Sequence, residues 1–325
     1  MEHYHLDGLK SEEVEMQKSA TRSILIILSA IIAFSTCVRA MAGVLDKSVI
    51  EKAAGTRATI QGEVVRIGWV RNDVKVEIDG VAFPPAAGLG SWATFKPTGR
   101  KGDDAIVMGD TVVFRDEVDA AMDAAFSHGL SVTALHNHFF YDRPKVYFMH
   151  IGGHGTAVEL AGAVKAVWDA IKKVRSAKPE PADSFSGGPA IAGDGTINAG
   201  QIREITGLES TRKPGGVVKI SSGRKASMSG TGIAGSMGLT SWAAFTGDDT
   251  AAVMDGDFIM SIAEVQPVLK AMRKANLHIV ALHNHMIGEQ PPYFFAHFWG
   301  RGTVADLARG FRTALNVEKD IQRGK

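Results

Sequence analysis

VTALHNHFFYDRPKVYFMHIGGHGTAVELA, from Val132 to Ala161, has a counterpart in IVALHNHMIGEQPPYFFAHFWGRGTVADLA, from Ile279 to Ala308. One offset aligns His136 with His283, His138 with His285 and His150 with His297. It also sets Asp142 on Glu289, Pro144 on Pro291 and His154 on Arg301. A whole unit has been duplicated, with imidazoles concentrated at one matching place in each copy. Imidazole is the commonest protein metal ligand and the usual proton carrier near neutral pH.

The match extends outward. Ser91-Trp92-Ala93-Thr94-Phe95 corresponds to Ser241-Trp242-Ala243-Ala244-Phe245, and Val65-Arg66-Ile67 to Val218-Lys219-Ile220. Gly80 and Gly88 correspond to Gly230 and Gly238. Between the copies, residues 176–195 are rich in Pro, Gly and Ser and lack apolar periodicity, which predicts a linker. The expected divisions are a signal over 1–42, repeat 1 over 43–175, the linker, and repeat 2 over 196–325.

Within repeat 1, residues 64–70 and 74–78 alternate like strands around an Arg71-Asn72-Asp73 turn, and 92–95 and 111–114 are short strand candidates. Residues 116–128 carry Val118, Met122 and Phe126 at helical spacing, with acids in the first turn and Gly129 past the end. Residues 131–138 and 146–151 alternate as strands. Residues 156–174 form the strongest amphipathic helix. Repeat 2 follows the same order. The expected fold is α+β: two tandem homologous repeats, each an antiparallel sheet with two helices, packed with pseudo-twofold symmetry.

With 325 residues, 45% of them hydrophobic, the chain can bury a sizeable core. A net charge of +1 and no polybasic run argue against a nucleic-acid surface. Residues 24–34 form an apolar run preceded by Lys18 and Arg22 and followed by small-x-small sites ending at Ala40 and Ala42. That is the pattern of a secretory signal, with Met16 a candidate start, and the run is too short for a span of about 20 residues. The expected location is the periplasm or the cell exterior. The single cysteine, Cys37, lies in the signal within a poor lipobox, so membrane attachment is expected only if Cys37 is lipidated. The mature protein would have no thiol to bind a metal or act as a nucleophile.

Side chains at i and i+2 of a strand share a face, so His136 and His138 are expected side by side, with His150 returning beside them on the next strand. Two imidazoles from one strand and one from its neighbour make a facial metal site. The expected metal ligands are His283, His285 and His297 in repeat 2, and His136, His138, His150 and His154 in repeat 1. Glu289 is the expected fourth ligand or catalytic general base. The competing reading is structural: a His-x-His can serve as a hydrogen-bonding feature of a half-buried sheet or stabilise a contact between repeats. Tyr293, Phe294, Phe295, Phe298 and Trp299 read first as core, and second as walls of an apolar pocket beside the imidazoles.

Three motifs are discounted. The HNH nuclease spreads its residues over a ββα metal motif that this chain lacks. Gly230-Thr231-Gly232-Ile233-Ala234-Gly235 fits GxGxxG, but its counterpart in repeat 1 ends in Pro84-Pro85, so it reads as a turn. His-x-His-x3-Glu is half of a cupin motif in a context that fits a cupin barrel badly.

The Gly-Ser-Trp-Ala-Thr-Phe segment at 90–95, the Leu-His-Asn-His segments with a following Pro and His, and Gly-Leu-Thr-Ser-Trp-Ala-Ala-Phe at 238–245 together resemble the LppY/LpqO family. That is a family of exported bacterial proteins, some of them lipoproteins, classed as a domain of unknown function. The resemblance covers about residues 44–317. It implies a duplicated domain and export, and no activity. From the residues themselves, the expected function is metal-dependent chemistry on a small molecule, most simply hydrolysis, with zinc as the cofactor. The alternative is a non-catalytic exported protein that binds a metal or a small ligand. The sequence leaves the oligomeric state open.

Overall fold

The computed structural model describes residues 45–99, 103–185 and 195–324. The expected signal, Cys37 and residues 186–194 of the expected linker lie outside the described residues.

The first copy opens with helix α1 (Lys47–Ala54) and strands β1 (Ala58–Gln61) and β2 (Val64–Val70), then the short β3 (Glu77–Ile78) and β4 (Val81–Ala82). There follow β5 (Gly90–Pro97), β6 (Asp104–Phe114), α2 (Val118–Ser127), β7 (Ser131–His136), β8 (Asp142–Arg143), β9 (Val146–Thr156) and α3 (Ala157–Ala177). The second copy repeats this with α4 (Ala199–Thr206), β10 (Ser210–Arg212), β11 (Val218–Gly223), β12 (Lys225–Met228) and β13 (Thr231–Ala234). It ends with β14 (Thr240–Gly247), β15 (Ala252–Met260), α5 (Val265–Lys274), β16 (His278–His283), β17 (Phe294–Gly302) and α6 (Val304–Gln322).

The α+β class and the antiparallel pairing agree with the sequence. Two details differ. Each copy has a third helix, α1 or α4, only eight residues long. Asp46 and Asn198 cap them, and Gly55 and Gly207 end them in left-handed conformation at φ 65° and 70°. Nor does each copy keep a sheet of its own. Twelve strands, six from each copy, form one sheet in the order β1-β2-β5-β6-β9-β7-β16-β17-β15-β14-β11-β10. The copies join where β7 pairs antiparallel with β16, Leu135 opposite Leu282. Without that pairing, both strands would expose an edge of unpaired backbone groups.

The long helix α3 starts where Thr156 and Glu159 form a reciprocal capping box, and it buries Leu160, Ala161, Val164, Val167, Trp168 and Ile171. Helix α6 buries Leu307, Ala308, Phe311, Ala314 and Leu315 in the same way. These faces pack on the sheet side that carries Leu135, Met149, Ile151, Leu282, Ala296 and Phe298, in one core shared by both copies.

The opposite side of the sheet is covered only in part. In the first copy Val112, Phe114, Val146 and Phe148 are roofed by Val74, Val76 and Leu89, beside a small sheet of β4, β3 and β8. In the second copy Ile259 and Phe295 are roofed by Ile233, Leu239 and Tyr293, beside the β12–β13 hairpin. The remainder of this side is open, and the histidines lie at the border.

Candidate metal centre

Three adjacent strands build each cluster. His150 on β9 faces Asp110 on β6 and Ala134 on β7; His297 on β17 faces Asp257 on β15 and Ala281 on β16. Directly opposed residues point to one side of an antiparallel sheet. In both copies the register shifts by one residue just before that alanine, at 132/134 and 279/281. The bulge turns His136 and His283, two residues further on, to the open side. Strands β7 and β16 end at these histidines, so His138 and His285 sit in the following loop rather than on the expected strand.

In the second copy, donor atoms of Asp257, His283 and His297 all lie within 4.8 Å of one another. The His283 and His297 rings stack, 4.9 Å apart and inclined by 16°. His297 Nδ1 lies 3.3 Å from the carbonyl of Gly256, and His283 Nδ1 lies 3.0 Å from that of Asn284. A carbonyl only accepts, so these contacts put the proton on Nδ1 and leave the Nε2 lone pair free, the tautomer a metal requires. Nε2 of His283 and Oδ1 of Asp257 are buried with no hydrogen-bond partner among the described residues. An orphaned buried acceptor costs about 1–3 kcal/mol, and a cation at their meeting point would satisfy both. Burial raises the pKa of Asp257, against the opposing pull of His297, His283 and His285. A bound dication would reverse that shift.

The first copy places corresponding groups on the same strands but pairs them differently. His136 and His138 meet Nε2 to Nε2 at 3.1 Å, and His138 stacks on Phe148 with ring centres 3.5 Å apart. His136 meets His150 edge-on at 4.7 Å. His150 Nε2 is 3.7 Å from Asp110 Oδ2, while Asp110 Oδ1 is buried and unpartnered among the described residues. Burial raises Asp110 and, with the neighbouring His150 and His138, lowers His136.

The expected ligand set is thus brought together in part. His136, His138 and His150 form one cluster, and His283 and His297 the heart of the other. His285 stays at the rim, its ring 6.5 Å from that of His283 and 4.9 Å from that of Phe295. His154 does not join: it lies opposite Ile106, four residues along β9 from His150, and pairs with Asp104 at 3.3 Å. Glu289 does not face the imidazoles either. It is buried, and its Oε1 accepts the Tyr293 backbone N–H at 3.0 Å. Asp142 does the same for Val146 at 2.7 Å, so this matched carboxylate pair ties down a loop. The carboxylates of the site are Asp110 and Asp257, which the sequence reading passed over. Their signal was available as Gly109-Asp110 and Gly256-Asp257, which match at the same offset as the histidines.

Of the aromatic residues, Phe298 is core, against Phe311, while Phe295 lies beside His283 and His285. A cavity of about 180 Å³ lies among Val118, Asp119, Leu135, Tyr147, Phe185 and Ile279, and none of the clustered histidines lines it.

A family described as Domain of Unknown Function (DUF1259) matches residues 48–170 and again 200–317. The chain belongs to that family, as two copies of its domain. No curated protein matches it. Among solved structures, a double-ringed trimeric shell protein of the RMM microcompartment aligns at 9% identity, over 67% of this chain and 83% of that one. Its TM-score of 0.18 carries no argument about fold or function.

Proposed function

We propose that this protein binds a divalent ion, zinc by the chemistry of its donors, between Asp257, His283 and His297, and acts with it on a small molecule, with hydrolysis as the leading chemistry. The observation that carries this reading is a pair of buried acceptors, His283 Nε2 and Asp257 Oδ1, that have no partner among the described residues, in a group of donors within 4.8 Å. Zinc bound there would polarise a substrate oxygen and acidify a water. Three protein ligands leave a position open, the arrangement of catalytic rather than structural zinc sites. That position would face the uncovered side of the sheet, the side that carries Asp257, His283 and His297. Phe295 screens one flank, and His285, exposed at the rim, stands where a proton could be passed to solvent. His136, His138, His150 and Asp110 form a second, weaker site. The alternative, a non-catalytic metal- or ligand-binding protein, is favoured by the openness of the site and by a 180 Å³ cavity that none of its histidines lines.

The same reading includes export to the periplasm or exterior and membership of the LppY/LpqO group, supported by the apolar run at 24–34 and the shared motifs. Among the described residues, no helix is long and apolar enough to cross a membrane. It also includes an approximate twofold axis through the Leu135–Leu282 pair, supported by a strand order in which corresponding strands recur from either edge.

Metal analysis of zinc-loaded, desalted protein made without a His-tag tests the central point. Wild type is expected to retain zinc tightly. The Asp257→Asn/His283→Ala double variant is expected to lose it and still melt cooperatively. Wild type without metal, or a double variant that keeps it, would overturn the reading.

A further inference from the structure

The two clusters are closer than their separation along the chain suggests. Leu135 faces Leu282 across the junction of the copies. Carried one step to either side, this antiparallel register sets Ala134 against His283 and His136 against Ala281. Because Ala134 also faces His150 and Ala281 also faces His297, two transverse rows cross the junction: His150–Ala134–His283 and His136–Ala281–His297. In each row a histidine of one copy looks across an alanine at a histidine of the other, two strand spacings or about 10 Å away. His136 and His283 are diagonal neighbours on paired strands, about 7–8 Å apart. All six side chains point to the open side of the sheet, and both alanines are half-exposed.

We infer that the copies build one composite site, a trough floored by Ala134 and Ala281, and that it takes a single small molecule with an anionic group at each end. This rests on the proposed ion at Asp257, His283 and His297. One end of the ligand meets that ion at its open position, where anionic oxygen donors bind. The other end meets His136 and His150, whose ring N–H groups would donate to it, while a second ion held with Asp110 would offset that carboxylate's charge. A side chain larger than alanine at 134 or 281 would stand in the middle of this path. The two smallest side chains of the rows therefore lie where a bridging ligand needs room. A small dicarboxylate has the length for the gap; a monocarboxylate reaches one end only.

The test is calorimetric titration of the zinc-loaded full chain with succinate, with acetate as the one-ended control. Zinc content is measured on the same samples first. The expected result is one succinate per chain, bound at least about tenfold more tightly than acetate. Ala134→Phe and Ala281→Phe, one in each copy, should each weaken succinate at least about tenfold relative to acetate, compared at the zinc occupancy measured for each variant. Loss in only one variant, no loss in either, or no saturable succinate binding overturns the composite site. If wild type retains no zinc, the metal reading falls and this inference falls with it. If zinc is retained and succinate is blind to either phenylalanine, only this inference falls.

Discussion

In the second copy an aspartate and two imidazoles face one point, whereas in the first the corresponding groups pair with one another. The backbone does not cause this, because β6, β9 and β7 register like β15, β17 and β16, bulge included. The loop histidine does. His138 lies flat on Phe148 and meets His136 Nε2, taking up the atom a metal would need. His285 turns away to Gly238, where an added Cβ would sit 3.2 Å from its Nε2, and so leaves His283 Nε2 without a partner among the described residues. Position 139 supplies a reason. Phe139 packs against both His138 and Phe148, and the residue at the matching place in the second copy is the flexible Met286. The lesson is that duplication preserved the strand positions while the loop set which copy has a free ligand.

The largest contrast between the copies is in a buried ion-pair network. Arg71 grips Glu117 with two bonds of 2.8 Å, and Arg175 adds a third at 2.9 Å, all of them buried. In the second copy Arg224 is partly exposed and is shared by Glu264 and Glu318. Glu117→Ala leaves Arg71 with Asp73 and Arg175 with Asp116, but it removes three fully buried charged bonds and is expected to cost about 3 kcal/mol. Glu264→Ala leaves Arg224 with Glu318 and with water, and should cost clearly less. Denaturant titration of both variants checks the order; equal losses would break the contrast.

Next in size is the effect on metal. Asp257→Asn is expected to weaken zinc retention at least about 100-fold, since even outer-shell partners are worth about 10–100-fold. Asp110→Asn should change the tight site less than about threefold. Competition with a chelating dye measures both, and equal effects would mean that the copies bind alike.

A smaller effect concerns pH in the metal-free protein. Burial raises Asp257 above 3.8, so between that pH and its folded value the folded chain holds more protons than the unfolded one. Stability should therefore fall as pH rises through this window. Asp257→Asn should flatten that part of the profile and raise the neutral-pH melting temperature. Asp110→Asn should act in the same direction, less strongly, because Asp110 is less buried. Zinc should reverse the order for position 257. A metal-free Asp257→Asn variant less stable than wild type at neutral pH would contradict the burial argument. Smallest of all, His154→Ala should leave zinc retention unchanged within about twofold, because that ring belongs to Asp104 and not to the cluster.

Much of the framework was legible because periodicity and duplication are local properties. Residues 64–70 form a strand with the expected limits, and the expected helix at 156–174 lies within one residue of α3 at its start. The merging of two sheets was not legible, since an edge strand that pairs with another copy has the same alternation as one facing solvent. Asp110 and Asp257 were passed over because an acid on the polar face of a strand looks like an ordinary solvent contact. Only the register, which sets each opposite a histidine, gives it a role. Glu289 misled through nearness in sequence. Three residues past His285 the chain has turned, and its carboxylate serves the buried N–H of Tyr293.

X-ray absorption at the zinc edge, combined with an anomalous difference map of zinc-loaded crystals, examines the central claim most directly. The account predicts one strong site in the second copy, with Nε2 of His283, Nε2 of His297 and an Asp257 oxygen at about 2.0–2.2 Å and a fourth, exchangeable oxygen. An ion bound elsewhere, or full occupancy of the first copy with the second empty, would contradict it.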